Sequence, residues 1–275
     1  MPHDKGSVFR ALHKPGDPFV LANAWDAGSA RMLVGLGAKA IGTSSAALAF
    51  TLGRPDFGRV TRDEALEHVQ SLVAAVNCPV SADLENGFGD APDYVAETIA
   101  MAAECGAAGV SIEDIAPPDE EAYPFDLAVE RIRAGVARAR SLPGDLVVCA
   151  RADGVMYGVY DMEEALRRSL AYCEVGADCI YVPMPPSMVE LQRLCSAVDR
   201  PVNALVAGHF TQHRFQEFAQ AGVARISLGS SLARATHKVI LDAATAMMND
   251  GDFSLLKADV SDTVDALLAD GTPRA

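Results

Sequence analysis

Lysine is scarce in this sequence of 275 residues. The five present are Lys5, Lys14, Lys39, Lys238 and Lys257, and none ends an apolar, strand-like run. A Schiff-base aldolase chemistry is therefore disfavoured, because it needs an amine at the reacting carbon. Histidine is equally misplaced: His3, His13, His68, His209, His213 and His237 all fall outside such runs, which argues against a His-built zinc site. The six cysteines contain no Cys-x-x-Cys pair and sit in apolar surroundings. They read as reduced, buried thiols of a cytoplasmic protein. No apolar stretch reaches the ~18 residues of a membrane helix, and the opening Met-Pro-His-Asp-Lys-Gly lacks a signal peptide's apolar core. No membrane partner is expected. Positive charge is short overall, with a net charge of −14, which argues against a nucleic-acid surface. An anionic ligand would have to be drawn in by a metal ion or a placed arginine.

What is present is a regular alternation of strand-like and helix-like segments. Half of the residues are hydrophobic and 22% are charged, as in an ordinary soluble domain. Strands are expected at 19–25, 38–43, 79–84, 109–113, 146–151, 179–182, 202–206 and 225–228. Helices are expected at 26–36, 61–76, 91–104, 125–140, 161–175, 186–197, 211–220 and 230–248, after a short one at 7–13. Asp26 reads as an N-cap, and Thr61 with Glu64 as a capping box. Eight such units with short αβ turns indicate an α/β fold, a (β/α)8 TIM-type barrel, as one domain over 1–275. Two connections are long: 46–60, and an acidic, proline-containing stretch at 114–124 that reads as a mobile lid or a solvated loop. Beyond the eighth unit, 253–268 carries an apolar stripe. The C-terminal segment 251–275 is expected to be an additional helix that crosses to a partner subunit in a homo-oligomer, dimer or tetramer.

In such barrels the chemistry sits at the carboxyl ends of the strands. Those ends carry Trp25, Thr43, Ser44, Ser45, Asp83, Glu85, Glu113, Arg151, Asp153, Pro183, Asn203 and Ser227. Asp83 and Glu85 share a face because strand side chains repeat every two residues. Asp83, Glu85 and Glu113 could be an ion-pair network around Arg151. The alternative is an all-oxygen site for Mg²⁺, since three carboxylates outnumber one arginine and a divalent cation balances them. Trp25 reads as a wall of the site or as core. The glycine-containing run at 222–231 reads as a phosphate loop or as a plain turn with an N-cap.

The motifs Asn-Ala-Trp-Asp-Ala-Gly-Ser-Ala-Arg (23–31), Gly-Thr-Ser-Ser (42–45), Leu-Gly-Arg-Pro-Asp (52–56), Ser-Ala-Asp-Leu-Glu-Asn-Gly-Phe-Gly (81–89), Gly-Val-Ser-Ile-Glu-Asp (109–114) and Ala-Arg-Ala-Asp (150–153) occur in this order. In them the sequence resembles the isocitrate lyase/phosphoenolpyruvate mutase superfamily over nearly the whole chain. The resemblance implies that Asp83 helps hold Mg²⁺ (Mn²⁺ as a substitute), with Glu85 and Glu113 reaching it directly or through water. It implies that Asp56 lies near the metal shell and that amides around Ser44 and Ser45 bind a substrate carboxylate. Arg151 would contact the oxygens of a pyruvyl-like group. Two departures narrow the reading. Asp119 stands where mutase-like members carry a lid lysine, and 114–124 lacks the Lys-Arg-Cys-Gly-His loop of isocitrate and methylisocitrate lyases.

The expectation is a Mg²⁺-dependent carbon–carbon lyase acting on a small 2-oxo or 2-hydroxy carboxylate through a metal-stabilised enolate, as in oxaloacetate decarboxylation. Asp56, Glu113 and Arg151 would be catalytic. Trp25, Thr43, Ser44, Ser45, Asp83, Arg151 and Asn203 would bind substrate, and Asp83, Glu85 and Glu113 the metal. Alternatives are weak isocitrate or 2-methylisocitrate cleavage and a non-catalytic 2-oxo-acid-binding barrel. A phosphonate mutase or hydrolase is less favoured.

Overall fold

The computed structural model describes residues 4–271; positions 1–3 and 272–275 of the expected domain lie outside the described residues. The strands are β1 (Phe19–Asn23), β2 (Ala40–Gly42), β3 (Val80–Asp83) and β4 (Gly109–Ile112), then β5 (Ile115–Ala116) and β6 (Glu121–Ala122), then β7 (Val147–Arg151), β8 (Cys179–Tyr181), β9 (Val202–Leu205) and β10 (Arg225–Ser227). Eight of them close a parallel barrel in the order β1-β10-β9-β8-β7-β4-β3-β2, while β5 and β6 form a separate antiparallel hairpin. The expected (β/α)8 barrel is thus what the chain forms.

The helices are α1 (Lys5–Leu12), α2 (Ala27–Gly35), α3 (Ser45–Thr51), α4 (Arg62–Ala75), α5 (Pro92–Glu104), α6 (Phe125–Ser141), α7 (Gly154–Tyr157), α8 (Met162–Glu174), α9 (Met188–Ala197), α10 (Phe215–Gln220), α11 (Ser231–Asp250) and α12 (Ser261–Asp270). Asp26 caps α2 and the Thr61/Glu64 box opens α4, as their sequence positions indicate. The main apolar core lies between the sheet and its helices, with Ile99, Val110, Ile132, Val148 and Ile180 at its centre. The N-terminal mouth is plugged by α1. Phe9 is fully buried there, and Gly109 makes room for it: a Cβ at Gly109 would lie 2.6 Å from the Phe9 ring. Arg10 holds the plug through forked bonds to Asp145 and one to Asp178.

The structure corrects three local expectations. The connection 46–60 begins as helix α3, because the Ser44 hydroxyl caps the helix-forming run Ala46–Ala49. The helix expected at 211–220 is broken into a 3-10 turn (Gly208–Gln212) and α10. A one-turn helix, α7, follows β7 where only a loop was expected. The C-terminal segment forms the expected additional helix. α12 packs on α2, where Gly35 admits Leu267 so closely that a Cβ would meet its carbonyl at 2.8 Å.

Candidate active site

The floor of the site is built around Arg151, the last residue of β7. Its Nε and Nη2 donate to the two oxygens of Asp153, at 3.1 and 2.6 Å. Its Nη1 reaches Asp83 Oδ1 at 3.0 Å and Glu113 Oε1 at 2.8 Å. The fork on Asp153 fixes the guanidinium plane, leaving Nη1 to the two carboxylates on β3 and at the end of β4. Asp83 is held from the other side by Ser45, whose N–H and Oγ both donate to Oδ2 at 3.0 Å. Its own N–H donates to Thr43 Oγ1. The Ser45 amide expected to receive a substrate carboxylate is thus engaged by Asp83.

Buried charges outside the floor position it. The guanidinium of Arg131, stacked 3.9 Å over the Tyr123 ring, donates to the carbonyls of Asn86, Gly89 and Asp90. Wrapping three carbonyls around one cation bends the loop after β3 and holds Glu85 at a positive φ of 46°. Asp114, expected in the lid, is instead a buried hub. It accepts from the Asp153 N–H, the hydroxyls of Tyr160 and Tyr172, and Arg168 Nη1. It thereby ties the end of β4 to the segment that carries Asp153 and α7.

Above the floor is a cavity of about 140 Å³, lined among others by Asn23, Thr43, Ser44, Ser45, Asp56, Asp83, Glu85, Glu113, Arg151 and Asn203. Its upper wall comes from two connections: Asp56 and Phe57 after α3, and Met156 and Tyr157 on α7. The Phe57 and Tyr157 rings meet with centroids 5.2 Å apart. The hairpin expected as a lid does not line this cavity. Asp119 lies exposed at its turn, and Pro117 only abuts Gly58 from outside. Trp25 does not line it either; it is half-buried beside α4, its carbonyl facing His68 Nε2 at 3.0 Å. The turn at 229–231 reaches the cavity edge through Gly229 and Ser230, but the N–H groups of Leu228 and Gly229 are taken by Asn23 Oδ1.

Arg225 is the cavity residue that strand-end reasoning missed. It opens β10, yet barrel stagger sets it level with Asn203, which is level with Tyr181 and so with Arg151. Its guanidinium is buried and, among the described residues, meets no carboxylate. It donates to Asn203 Oδ1 at 2.8 Å and Cys149 Sγ at 2.9 Å, and lies 3.3 Å from His13 Nε2. Burial and the Arg225 charge push the His13 imidazole down to about 3, so it accepts here as a neutral ring. Burial opposes ionisation of Cys149, but the Cys179 hydrogen bond and the charges of Arg225 and Arg151 bring its thiol down to about 7. The surroundings of this thiol are not the apolar ones expected. Asn203, expected to bind substrate, spends its amide on Arg225 and on Ser227 Oγ at 2.8 Å.

The charge balance of the floor bears on a metal. Burial, then Asp83 and Asp56, push Glu85 up to about 7. Burial also raises Glu113 well above the carboxylate range despite Arg151, and it raises Asp56. Crowding of these carboxylates around one arginine adds to the effect of burial, and a divalent cation would fill that charge deficit. The donors are oxygens throughout, as Mg²⁺ and Mn²⁺ prefer. Among the described residues, no three of them converge to hold an ion directly. The residues therefore fit an ion met by one or two carboxylates and completed by water, rather than a cage of three.

A model of the phosphoenolpyruvate phosphomutase family matches residues 9–248. The chain is 29% identical to 2-methylisocitrate lyase of Salmonella typhimurium over 262 residues, covering 90% of this chain and 86% of that one. It is 29% identical to oxaloacetate decarboxylase of Chromohalobacter salexigens over 248 residues, covering 87% and 84%. A Burkholderia cenocepacia crystal structure, assigned provisionally as a lyase/mutase, superposes with a TM-score of 0.92 at 42% identity, covering 98% of each chain. Among the described residues no helix is long and apolar enough to cross a membrane. With the barrel and the carboxylate-ringed arginine in place, these likenesses settle kinship: the chain belongs to the isocitrate lyase/phosphoenolpyruvate mutase superfamily, and it is an enzyme.

Proposed function

We propose that this enzyme is a divalent-metal-dependent carbon–carbon lyase acting on a small 2-oxo or 2-hydroxy carboxylate, with oxaloacetate-type decarboxylation the best fit. The observation that carries the reading is Arg151, locked by Asp153 and aimed at Asp83 and Glu113 on the floor of the cavity. A bound Mg²⁺ or Mn²⁺ would supply Lewis-acid stabilisation of the charge that cleavage leaves on a 2-oxo oxygen, with Asp83, Glu85 and Glu113 as the residues to hold it, directly or through water. Arg151 is positioned before the substrate arrives, so its charge acts without reorganisation. Phe57, Met156 and Tyr157 line the cavity above the floor, where they would shield the reacting atoms from water. The cavity is small, and its lining offers only two cations, Arg151 and Arg225. A third carboxylate finds no partner, which favours oxaloacetate over isocitrate or 2-methylisocitrate.

The test measures pyruvate and CO₂ formed from oxaloacetate with Mg²⁺, Mn²⁺ or EDTA, against protein-free metal controls. Turnover above those controls, abolished by EDTA, is the expected result. Saturable binding of 2-oxo acids without turnover across a panel of 2-oxo and 2-hydroxy acids would refute the reading in favour of a non-catalytic binding barrel.

A further inference from the structure

The reaction needs a proton for the carbon that loses its bond, and no cysteine, lysine or histidine lines the cavity. Resting on the lyase reading above, we infer that Tyr157 is the proton donor. Strand order places it over the reacting centre: between β7, which leads to Tyr157, and β2, which leads to Phe57, stand only β4 and β3. The ring contact at 5.2 Å therefore spans the strand ends that carry Glu113 and Asp83. Among the described residues no protein group hydrogen-bonds the Tyr157 hydroxyl, although the residue lines the cavity and is only half-exposed. Its O–H is thus free for a ligand, unlike that of Tyr160 or Tyr172, both spent on Asp114. Burial, with Glu113, Asp153 and Asp56 nearby, holds the phenol above its usual range, so it begins each cycle with its proton.

The step balances as follows. The C3–C4 bond of oxaloacetate breaks, C4 leaves as CO₂, and the bond's electron pair enters the C2–C3 enolate. That pair then forms the new C3–H bond with the Tyr157 proton, giving pyruvate, and the phenolate recovers a proton from solvent. Asp56 is the rival donor on the same wall, but one of its oxygens already accepts the Phe57 N–H at 2.7 Å.

The discriminating substrate is the 3-methyl analogue of oxaloacetate, decarboxylated in D₂O with Mg²⁺, its 2-oxobutanoate product reduced at once and the C3 epimer ratio read by NMR. Native enzyme is expected to give one epimer. Tyr157→Phe removes one unbonded oxygen and is expected to fold normally, checked by its thermal melt. It is expected to form keto product about 100-fold more slowly, to release enol visible by its ultraviolet absorbance, and to give racemic product. Asp56→Asn is expected to keep a single epimer. A single epimer at near-native rate from Tyr157→Phe, or racemic product from native enzyme, would overturn the inference while leaving the lyase reading intact. Absence of any native turnover overturns both.

Discussion

Glu85→Gln is the most direct probe of the charge deficit on the floor. In the folded, metal-free chain the Glu85 carboxyl is pushed up to about 7 from an ordinary 4.5. Between those values the folded state keeps a proton that the unfolded state has lost, so stability must fall as pH rises through that window, and level off above about 7. At about 1.4 kcal/mol per tenfold change in proton affinity, Glu85 alone accounts for about 3 kcal/mol. At roughly 2 °C per kcal/mol for a chain of this size, that is about 6 °C in melting temperature. The assay is calorimetry of EDTA-treated protein from pH 4.5 to 8, native beside Glu85→Gln. Native protein is expected to lose stability over this range and the variant to lose about 3 kcal/mol less. Saturating Mg²⁺ is expected to flatten the native curve by binding the ionised form. Native and variant curves that run parallel in EDTA would refute the reasoning, because Glu85 would then not be the group that holds the proton.

Three further outcomes are expected. Arg151→Lys keeps the charge but loses the fork on Asp153, and kcat/KM for the turned-over acid is expected to fall about 100-fold, about 3 kcal/mol, with the melt little changed; native-like kinetics would remove Arg151 from the site. Asp119→Lys reverses a charge on the exposed hairpin turn, outside the cavity, and affinities for pyruvate, 2-oxoglutarate and isocitrate are expected to change by less than about twofold; a selective gain for isocitrate would restore the hairpin as a lid that reads ligand charge. Homo-oligomerisation remains our proposal, now assigned to the exposed apolar side chains Ile240, Leu241, Met248, Phe253 and Leu256 rather than to α12; Leu241→Asp with Leu256→Asp is expected to yield monomer by light scattering, and an unchanged mass would exclude this face.

The barrel was legible because its signal repeats: eight apolar strands, each followed by a helical segment. Asp83, Glu113 and Arg151 were legible for the same reason, since the ends of parallel strands converge wherever the sheet closes. Arg225 was not, because its place in the cavity depends on the stagger between strands, and register leaves no mark in a single sequence. Asp114 was misplaced because a carboxylate beside Ile115, Pro117 and Pro118 reads as loop until Arg168, Tyr160 and Tyr172 arrive from another unit. The α3 helix did carry a signal, the Ser44 cap before an alanine-rich turn, and the Gly-Arg-Pro that follows it obscured the pattern. Trp25 lies two residues beyond β1, where strand alternation no longer decides which way a side chain faces.

The upper wall differs in kind from the floor. Arg151, Asp83, Asp153 and Asp114 are braced by buried charge and anchored in the barrel, whereas the wall is two separate connections meeting through one ring pair, with Pro117 of the hairpin set against Gly58 from outside. Substitutions at Phe57 and Met156 face the cavity without entering the core packing, so their stability effects are expected to be small and nearly additive with changes elsewhere. Divergence of substrate preference in this molecule can therefore proceed through Phe57 and Met156 on these two connections while Tyr157 and the floor are inherited intact. A laboratory selection confined to those two connections would explore new acids on an unchanged barrel.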